Sequence, residues 1–421
     1  MPIWIYELRK VFMSPVILTL LLLFTAFNFL IIFQNAYIKE ELREVNQIAS
    51  TYGTKIDDAM LAKMKADYEG QLKEVNDIAK EKVSKTYATM NELFSDQNLY
   101  VNSVFSEEEL QLFATTSLFE MYYVNSLHID ENFQQLDPIA FAEMEIRKYG
   151  LSGGAAQLIR SQYARFSERY ADVLQNKEYK HLFPAQNELG THELLFKTVF
   201  KVFLLEGVIL TVLVTAHVMN FEFERGTYLL TYATRRGRAL AVDKIWAALM
   251  ANLILFAFIL TTGLVLYFKL FSYKEFWQVP ISSLFNAGQN WFMSWWNFTF
   301  LQYLLATVLL AILLIMLFTF ITVILARWIR NSYLVFFIFL CLFGSIFAIQ
   351  GLFSSEQVAL ILSFFTPVNL VLNSFIWFMY QPLTVSAYFE VITVGAWLLL
   401  VLAITFICQK SFQKCDLKGV L

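Results

Sequence analysis

Charge is what this chain lacks most. Only 16% of its 421 residues are Asp, Glu, Lys or Arg, against about 25% in soluble domains. Hydrophobic residues make up 57%, and 42 residues are Phe. Charge this sparse cannot cover a soluble surface, which leaves a polytopic membrane protein as the class. Cysteine is scarce too: Cys341, Cys408 and Cys415 are the only three, and none lies within residues 34–190. That segment is therefore expected to fold without disulfides, although it should face a compartment that permits them. The cysteine spacing offers no metal site. Also missing are a G-x-x-x-x-G-K-[ST] phosphate loop, an H-E-x-x-H helix and a G-x-S-x-G elbow. The four histidines, His128, His181, His192 and His217, are scattered. These absences exclude an enzyme acting alone and a cofactor bound by this chain. No nucleic-acid partner is expected either.

The charge that is present is segregated. Residues 34–190 hold 25 acidic and 16 basic side chains, a net of −9, and the remainder nets +6. An acidic soluble insert beside basic membrane flanks is the asymmetry that bilayer insertion produces. The apolar run 11–33 is longer than a signal-peptide core and has no A-x-A cleavage site after it, so it reads as a retained signal anchor. Five further apolar runs, 198–219, 245–268, 301–326, 333–349 and 391–408, are each close to the ~20 residues a crossing needs. A seventh stretch, 358–378, is interrupted by Pro367, Asn369 and Asn373, and reads as a broken or re-entrant segment.

The insert, at about 155 residues, is long enough to bury its own core. It reads as mainly helical: 36–50, 56–85 (with Met60, Met64, Tyr68 and Leu72 at four-residue spacing), 107–124, 137–149 and 155–176. Ser106 with Glu109 offers a capping box, and Gly150 with Gly153 and Gly154 marks a turn. Ahead of the first span, Glu7, Arg9 and Lys10 oppose aromatics on what reads as a short interfacial helix.

Lys and Arg near the spans set the orientation. Arg9 and Lys10, then Arg225, Arg235, Arg236, Arg238 and Lys244, then Arg327 and Arg330, then Lys410, Lys414 and Lys418 all fall on one side if six spans thread with both termini in the cytoplasm. Residues 34–190, 269–300 and 350–390 are then outside a bacterial plasma membrane. Trp277, Trp291, Trp295 and Trp296 make 269–300 read as an interfacial helix on the outer leaflet. The fold class expected is an all-α membrane protein of six spans, N-in and C-in, divided at 1–33, 34–190 and 191–421.

The most informative stretch is the loop 221–244. Gly226 permits a break, and 227–234 reads as a short helix along the membrane surface. Leu229, Leu230 and Tyr232 give it apolar contact, and the arginines hold its end at the headgroups. An alternative is that the arginines only set topology. The pattern Glu222, Glu224, Arg225, Gly226-Thr227, Leu229-Leu230, Arg235, Arg236 and Lys244 resembles the signature loop of ABC-2 type transporter permeases. Glu7-Leu8-Arg9-Lys10 with Ser14-Pro15 is similar to that family's N-terminal interfacial helix, and the stretch around Pro367 to its outer re-entrant helices. The resemblance implies that 221–244 is a coupling loop whose 227–234 segment, the coupling helix, docks on a separate ABC ATPase subunit. That partner would carry ATP and Mg, and a second permease subunit would complete a homo- or heterodimer. The long insert departs from many family members and resembles the subset with a large extracytoplasmic domain.

Glu206 falls within the second span, where a carboxylate is costly and by default marks a site. It could face a translocation path and bind a cation or an amine. It could also be a protonated or hydrogen-bonded Glu that locks helix packing, or lie near the outer boundary paired to Lys197 or Lys201. The function implied is export of a peptide, drug, lipid or ion. A transmembrane sensor or scaffold that binds a ligand through the insert without transport is the alternative, and an ion channel or secondary carrier a third, favoured only by Glu206.

Overall fold

The computed structural model describes residues 3–96, 104–184, 193–234, 237, 239–286, 293–381, 383 and 386–414. Within them the chain is helical, and the β pairing is confined to three isolated bridges. Helix α1 (Ile3–Phe12) stops because Pro15 has no N–H and disfavours helical backbone in the residue before it. Ser14 is extended there, with φ −77° and ψ 116°. Pro15 then occupies the first turn of α2 (Pro15–Gln34), the one place in a helix where proline is welcome.

The insert supplies α3 (Ile38–Tyr52), α4 (Asp58–Val83), α5 (Met90–Ser95), α6 (Glu107–Leu127), α7 (Ile129–Gln134), α8 (Pro138–Lys148) and α9 (Gly153–Asn176). After a π-helical turn, Glu193–Val199, come α10 (Phe200–Glu224), α11 (Tyr228–Ala233), α12 (Leu240–Leu270), α13 (Phe300–Trp328) and α14 (Ser332–Gln350). The chain ends with α15 (Val358–Leu362), α16 (Pro367–Leu372) and α17 (Phe389–Lys414).

Six of these segments are long and apolar enough to cross a membrane: α2, α10 with its π turn, α12, α13, α14 and α17. This is the make-up of a multi-pass membrane protein. Within its apolar window α10 is 72% buried, against 17% for α2 and 12% for α14, so α10 is the axis and the other two are rim. Leu22 and Leu23 on α2, Phe337 on α14 and Leu399 on α17 stay exposed, on faces suited to lipid tails. In lipid, apolar burial gives little drive for one helix to join another, so the axis depends on shape. Here α10 and α12 exchange knobs. A methyl group at Gly207 would stand 2.5 Å from the Phe256 ring, and one at Gly263 would overlap the Phe203 ring. Asn252 of α12 then donates to Thr215 of α10 and Thr319 of α13, both at 2.9 Å, pinning three helices with one amide.

The insert follows its sequence pattern closely. Met60, Met64 and Tyr68 are buried on one face of α4, which packs on α6. The capping box forms: Glu109 N–H donates to Ser106 Oγ (3.3 Å) and Ser106 N–H to Glu109 Oε2 (2.7 Å). Gly150 and Gly153 make the expected turn with φ of +60° and +52°. Gly153 also lets the start of α9 lie against the link between α14 and α15, because a Cβ there would sit 3.3 Å from the Glu356 carbonyl. Ser152 and Ala155 donate N–H groups to the Ser355 and Glu356 carbonyls at 3.2 and 3.1 Å.

Two expectations change. The described residues of this stretch, 271–286 and 293–299, form no interfacial helix. Among the described residues they hold a 3-10 turn, Leu284–Asn286, with bridges from Pro280 to Thr299 and from Ser294 to Met379. Their aromatics are packing surfaces: Trp295 meets Phe166 of the insert edge-on at 4.8 Å, Phe285 stacks on Tyr122 at 5.2 Å, and Trp277 packs on Phe268 and Phe300. Trp291 lies outside the described residues. Belt-like tryptophan spacing and a docking platform read alike in sequence, because both need large rings near a span end.

Helix α1 differs too. It packs on α10 and α12 with Glu7 buried and Lys10 half-buried, while Arg9 stays exposed. The stretch 358–378 is broken as expected, with Pro367 opening α16 behind the Thr366 cap. Asn369 and Asn373 donate to the Phe364 and Asn369 carbonyls at 3.0 and 3.1 Å, fastening the break.

Candidate functional site

The residues singled out in the 221–244 loop gather at the end of the bundle opposite the insert. Helix α10 closes there through a Schellman turn: Thr227 N–H donates to Glu222 O (2.9 Å) and Gly226 N–H to Phe223 O (3.2 Å). Gly226 holds φ +69°, a left-handed conformation that a side chain would strain. Helix α11 follows at once, within a residue of the expected 227–234. Leu229 and Leu230 are 51% and 78% exposed on it, while Tyr232 turns inward against Phe223. Thr227 takes the position before α11, and its carbonyl accepts from Thr231. Arg225 lies over the Phe221 ring at 5.8 Å. Arg235 and Arg236 lie outside the described residues.

Beneath this knob lies a network of two acids and two lysines. Lys244 is fully buried, with Nζ donating to the Val218 carbonyl (2.8 Å) and to a Glu222 carboxylate oxygen. The other Glu222 oxygen accepts from Lys10 at 3.0 Å, and Lys10 also binds Glu7 at 2.7 Å. A buried ammonium is tolerable only when its protons are satisfied and its charge is opposed, and Glu222 opposes Lys244 directly. Burial alone would lower the Lys10 pKa, but Glu7 and Glu222 outweigh it and hold the group above its ordinary value. Its Nζ also sits 4.4 Å from the centre of the Phe221 ring.

Glu222 thus ties α1 and α12 to the end of α10. Glu224 reaches the other way, its Oε1 accepting the Ser332 N–H (2.7 Å) at the start of α14. Asn220 donates to Ile329 O at 3.0 Å, and Arg330 lies over the Phe223 ring. Force applied to α11 would pass through this junction to four other helices. Of the two carboxylates in the loop pattern, Glu222 faces into the bundle, whereas Glu224 is exposed, as are Arg225, Thr227, Leu229 and Leu230. The roles of Lys10 and Lys244 on Glu222 were not legible, because that carboxylate lies 212 and 22 residues away from them along the chain.

The second place of interest lies ~24 Å along α10 from Glu222, at 1.5 Å per residue. Glu206 is buried there and accepts from the Asn28 amide of α2 at 2.7 Å. Lys197 pairs with Glu193 at 3.2 Å, not with Glu206. Asn28 escaped notice because one amide barely lowers the hydropathy of a 20-residue run. Glu390, at the mouth of α17, is a structural tether: it accepts the Phe378 N–H at 2.7 Å, where Phe378 has φ +60°. His217 meets the Phe221 ring edge-on and joins neither acid. No family model matches this chain, and no curated protein or solved structure does either.

Proposed function

We propose that the chain is the membrane-spanning subunit of an ATP-driven exporter in a bacterial plasma membrane, moving a peptide, drug, lipid or ion. The observation that carries this reading is α11: two leucines exposed on a short helix whose root is wired into α1, α10, α12 and α14 through Glu222 and Glu224. A partner gripping Leu229 and Leu230 would have mechanical access to most of the bundle. That partner is a separate ABC ATPase subunit carrying ATP and Mg, and a second permease subunit completes the pair. Both termini and α11 then lie in the cytoplasm, with the insert outside.

The test is a detergent pull-down of the full-length protein from native membranes, with ATPase activity assayed on what co-purifies. Both leucines are solvent-facing, so Leu229→Asp with Leu230→Asp should change stability by less than ~0.5 kcal/mol each. The ATPase should nonetheless be lost. If the folded wild-type protein brings down no ATPase, the exporter reading fails.

A second reading, a sensor or scaffold that transports nothing, is favoured by the seating of the insert. A ligand that moved α9 would act directly on residues 355–356, between α14 and α15. It would also act on Ser294, whose carbonyl accepts from Arg169 of α9 at 3.1 Å.

A further inference from the structure

We propose that Glu206 and Asn28 form a one-proton binding site inside the membrane-spanning bundle, and that this proton closes α2 onto α10. The inference stands on the geometry of the pair and holds for either functional reading above.

Both side chains are more than nine-tenths buried, and one hydrogen bond joins them, from Asn28 Nδ2 to Glu206 Oε2. Each keeps one buried oxygen with no partner: Oε1 of Glu206 and Oδ1 of Asn28. Two orphan acceptors, one on each member of a bonded pair, cannot satisfy each other as they stand. A single proton changes that. With Oε1 protonated, its O–H can donate to Asn28 Oδ1 while Asn28 Nδ2 still donates to Oε2. The carboxylic acid and amide then close a ring of two hydrogen bonds with no net charge. The proton comes from water and returns to water, and no other bond is made or broken.

A metal cation fits the site less well. Hard cations take many oxygen ligands, about 6–8 for Ca²⁺, and the pair offers two. Among the described residues no group of three His, Cys, Asp or Glu side chains could hold a metal. Nor does a fixed charge stand in for the proton. Helices α2, α14 and α16 carry no Asp, Glu, Lys, Arg or His. The charges of α1 (Glu7, Arg9, Lys10), of the start of α12 (Asp243, Lys244) and of the end of α13 (Arg327) belong to the opposite end of the bundle. Of those nearer the insert, Glu193 and Lys197 pair with each other, and Lys269 closes the far end of α12. Lys201 lies five residues before Glu206 on α10. Tyr267 on α12 is within hydrogen-bond distance of Tyr273, and Tyr303 on α13 donates to the Phe375 carbonyl at 3.5 Å.

The consequence lies in α2. It is a rim helix, and Asn28 is its one buried polar residue. With the proton bound, α2 is fastened to the axis by a closed pair. Without it, one bond remains and two acceptors are left bare in a low-dielectric setting, which favours release of α2.

Infrared spectroscopy of the full-length protein in lipid nanodiscs, titrated with pH, reads this directly. A protonated carboxyl has a C=O stretch separate from the carboxylate bands. The wild type should show such a band at neutral pH that is missing from Glu206→Gln by one carboxyl's worth of absorbance. In Asn28→Val the same band should persist but move to higher frequency, since the acid has lost its amide. Exchanging choline for sodium should leave it unchanged. Superposable wild-type and Glu206→Gln spectra would overturn the proposal, because Glu206 would then be an ordinary carboxylate bridged by water. An Asn28→Val spectrum with no shift would overturn it as well, and so would a band that sodium abolishes.

Discussion

Glu206 and Glu222 sit on the same helix, are buried to the same degree, and are held in opposite ways. Glu222 is gripped by two lysines, one of them fully buried, and joins three helices at one end of the bundle. Glu206 accepts from one amide, that of Asn28, and its own Oε1 and the Asn28 Oδ1 are left without partners. The difference follows depth. Near a span end, lysines from neighbouring segments can reach a carboxylate while their backbones stay at the interface. Toward the middle no such reach exists, and a carboxylate must be neutralised in place or bridged. A fixed ion network makes a joint, whereas a lone carboxylate makes a switch.

The sharpest way to break that comparison is to take a lysine from Glu222. Lys244→Met leaves a buried carboxylate with only Lys10, and breaking such a pair costs about 3–5 kcal/mol. The double variant Lys244→Met with Glu222→Leu removes both charges and should recover most of the loss, since buried pairs are often no better than apolar replacements of similar volume. Reversible unfolding in mixed micelles measures both. A single-variant loss below 1 kcal/mol would mean that the network holds nothing together.

How much of this could be read beforehand divides along the range of the interactions. All six apolar spans were legible, as were the insert's five longer helices, the Ser106–Glu109 box and the break at Pro367, because hydropathy and capping are local; the six-residue helices α5 and α7 were not. The 11–33 run opened four residues late only because Pro15 sets the start. The position of α11 was legible from Gly226. The sites themselves were half legible. Glu206 stood out as a charge in an apolar run, but Asn28, 178 residues away, did not. Lys244 looked like a membrane flank, since nothing local says that its Nζ turns back to Glu222. The packing of Trp295 and Trp296 was not legible, because their partners Phe166 and Tyr388 lie in other segments.

A smaller effect tests whether shape sets the distance between the axis helices beside Glu206. Gly207→Ala puts a methyl group 2.5 Å from the Phe256 ring, already held between α10 and α12. Overpacking of this kind costs about 1–3 kcal/mol. Phe256→Leu in the same chain should return part of it. If Gly207→Ala alone is neutral, α10 and α12 are free to separate, and the polar pairs matter more than the knobs.

The smallest effect separates the two lysines of Glu222. Lys10 is half-buried, and its partners Glu7 and Glu222 raise its pKa. A lysine whose folded pKa lies above the unfolded value, ~10.4, contributes stability that is complete below that value. The contribution is lost as pH rises through the folded pKa. Lys10→Met should therefore be less stable than the wild type by a constant amount from neutral pH to about pH 10. The gap should narrow in stronger alkali, as the wild type loses what the variant never had. Unfolding midpoints of the two proteins across that range give the answer. A gap independent of pH would mean that Lys10 acts through its aliphatic stem on Phe221, leaving Lys244 as the sole electrostatic partner of Glu222.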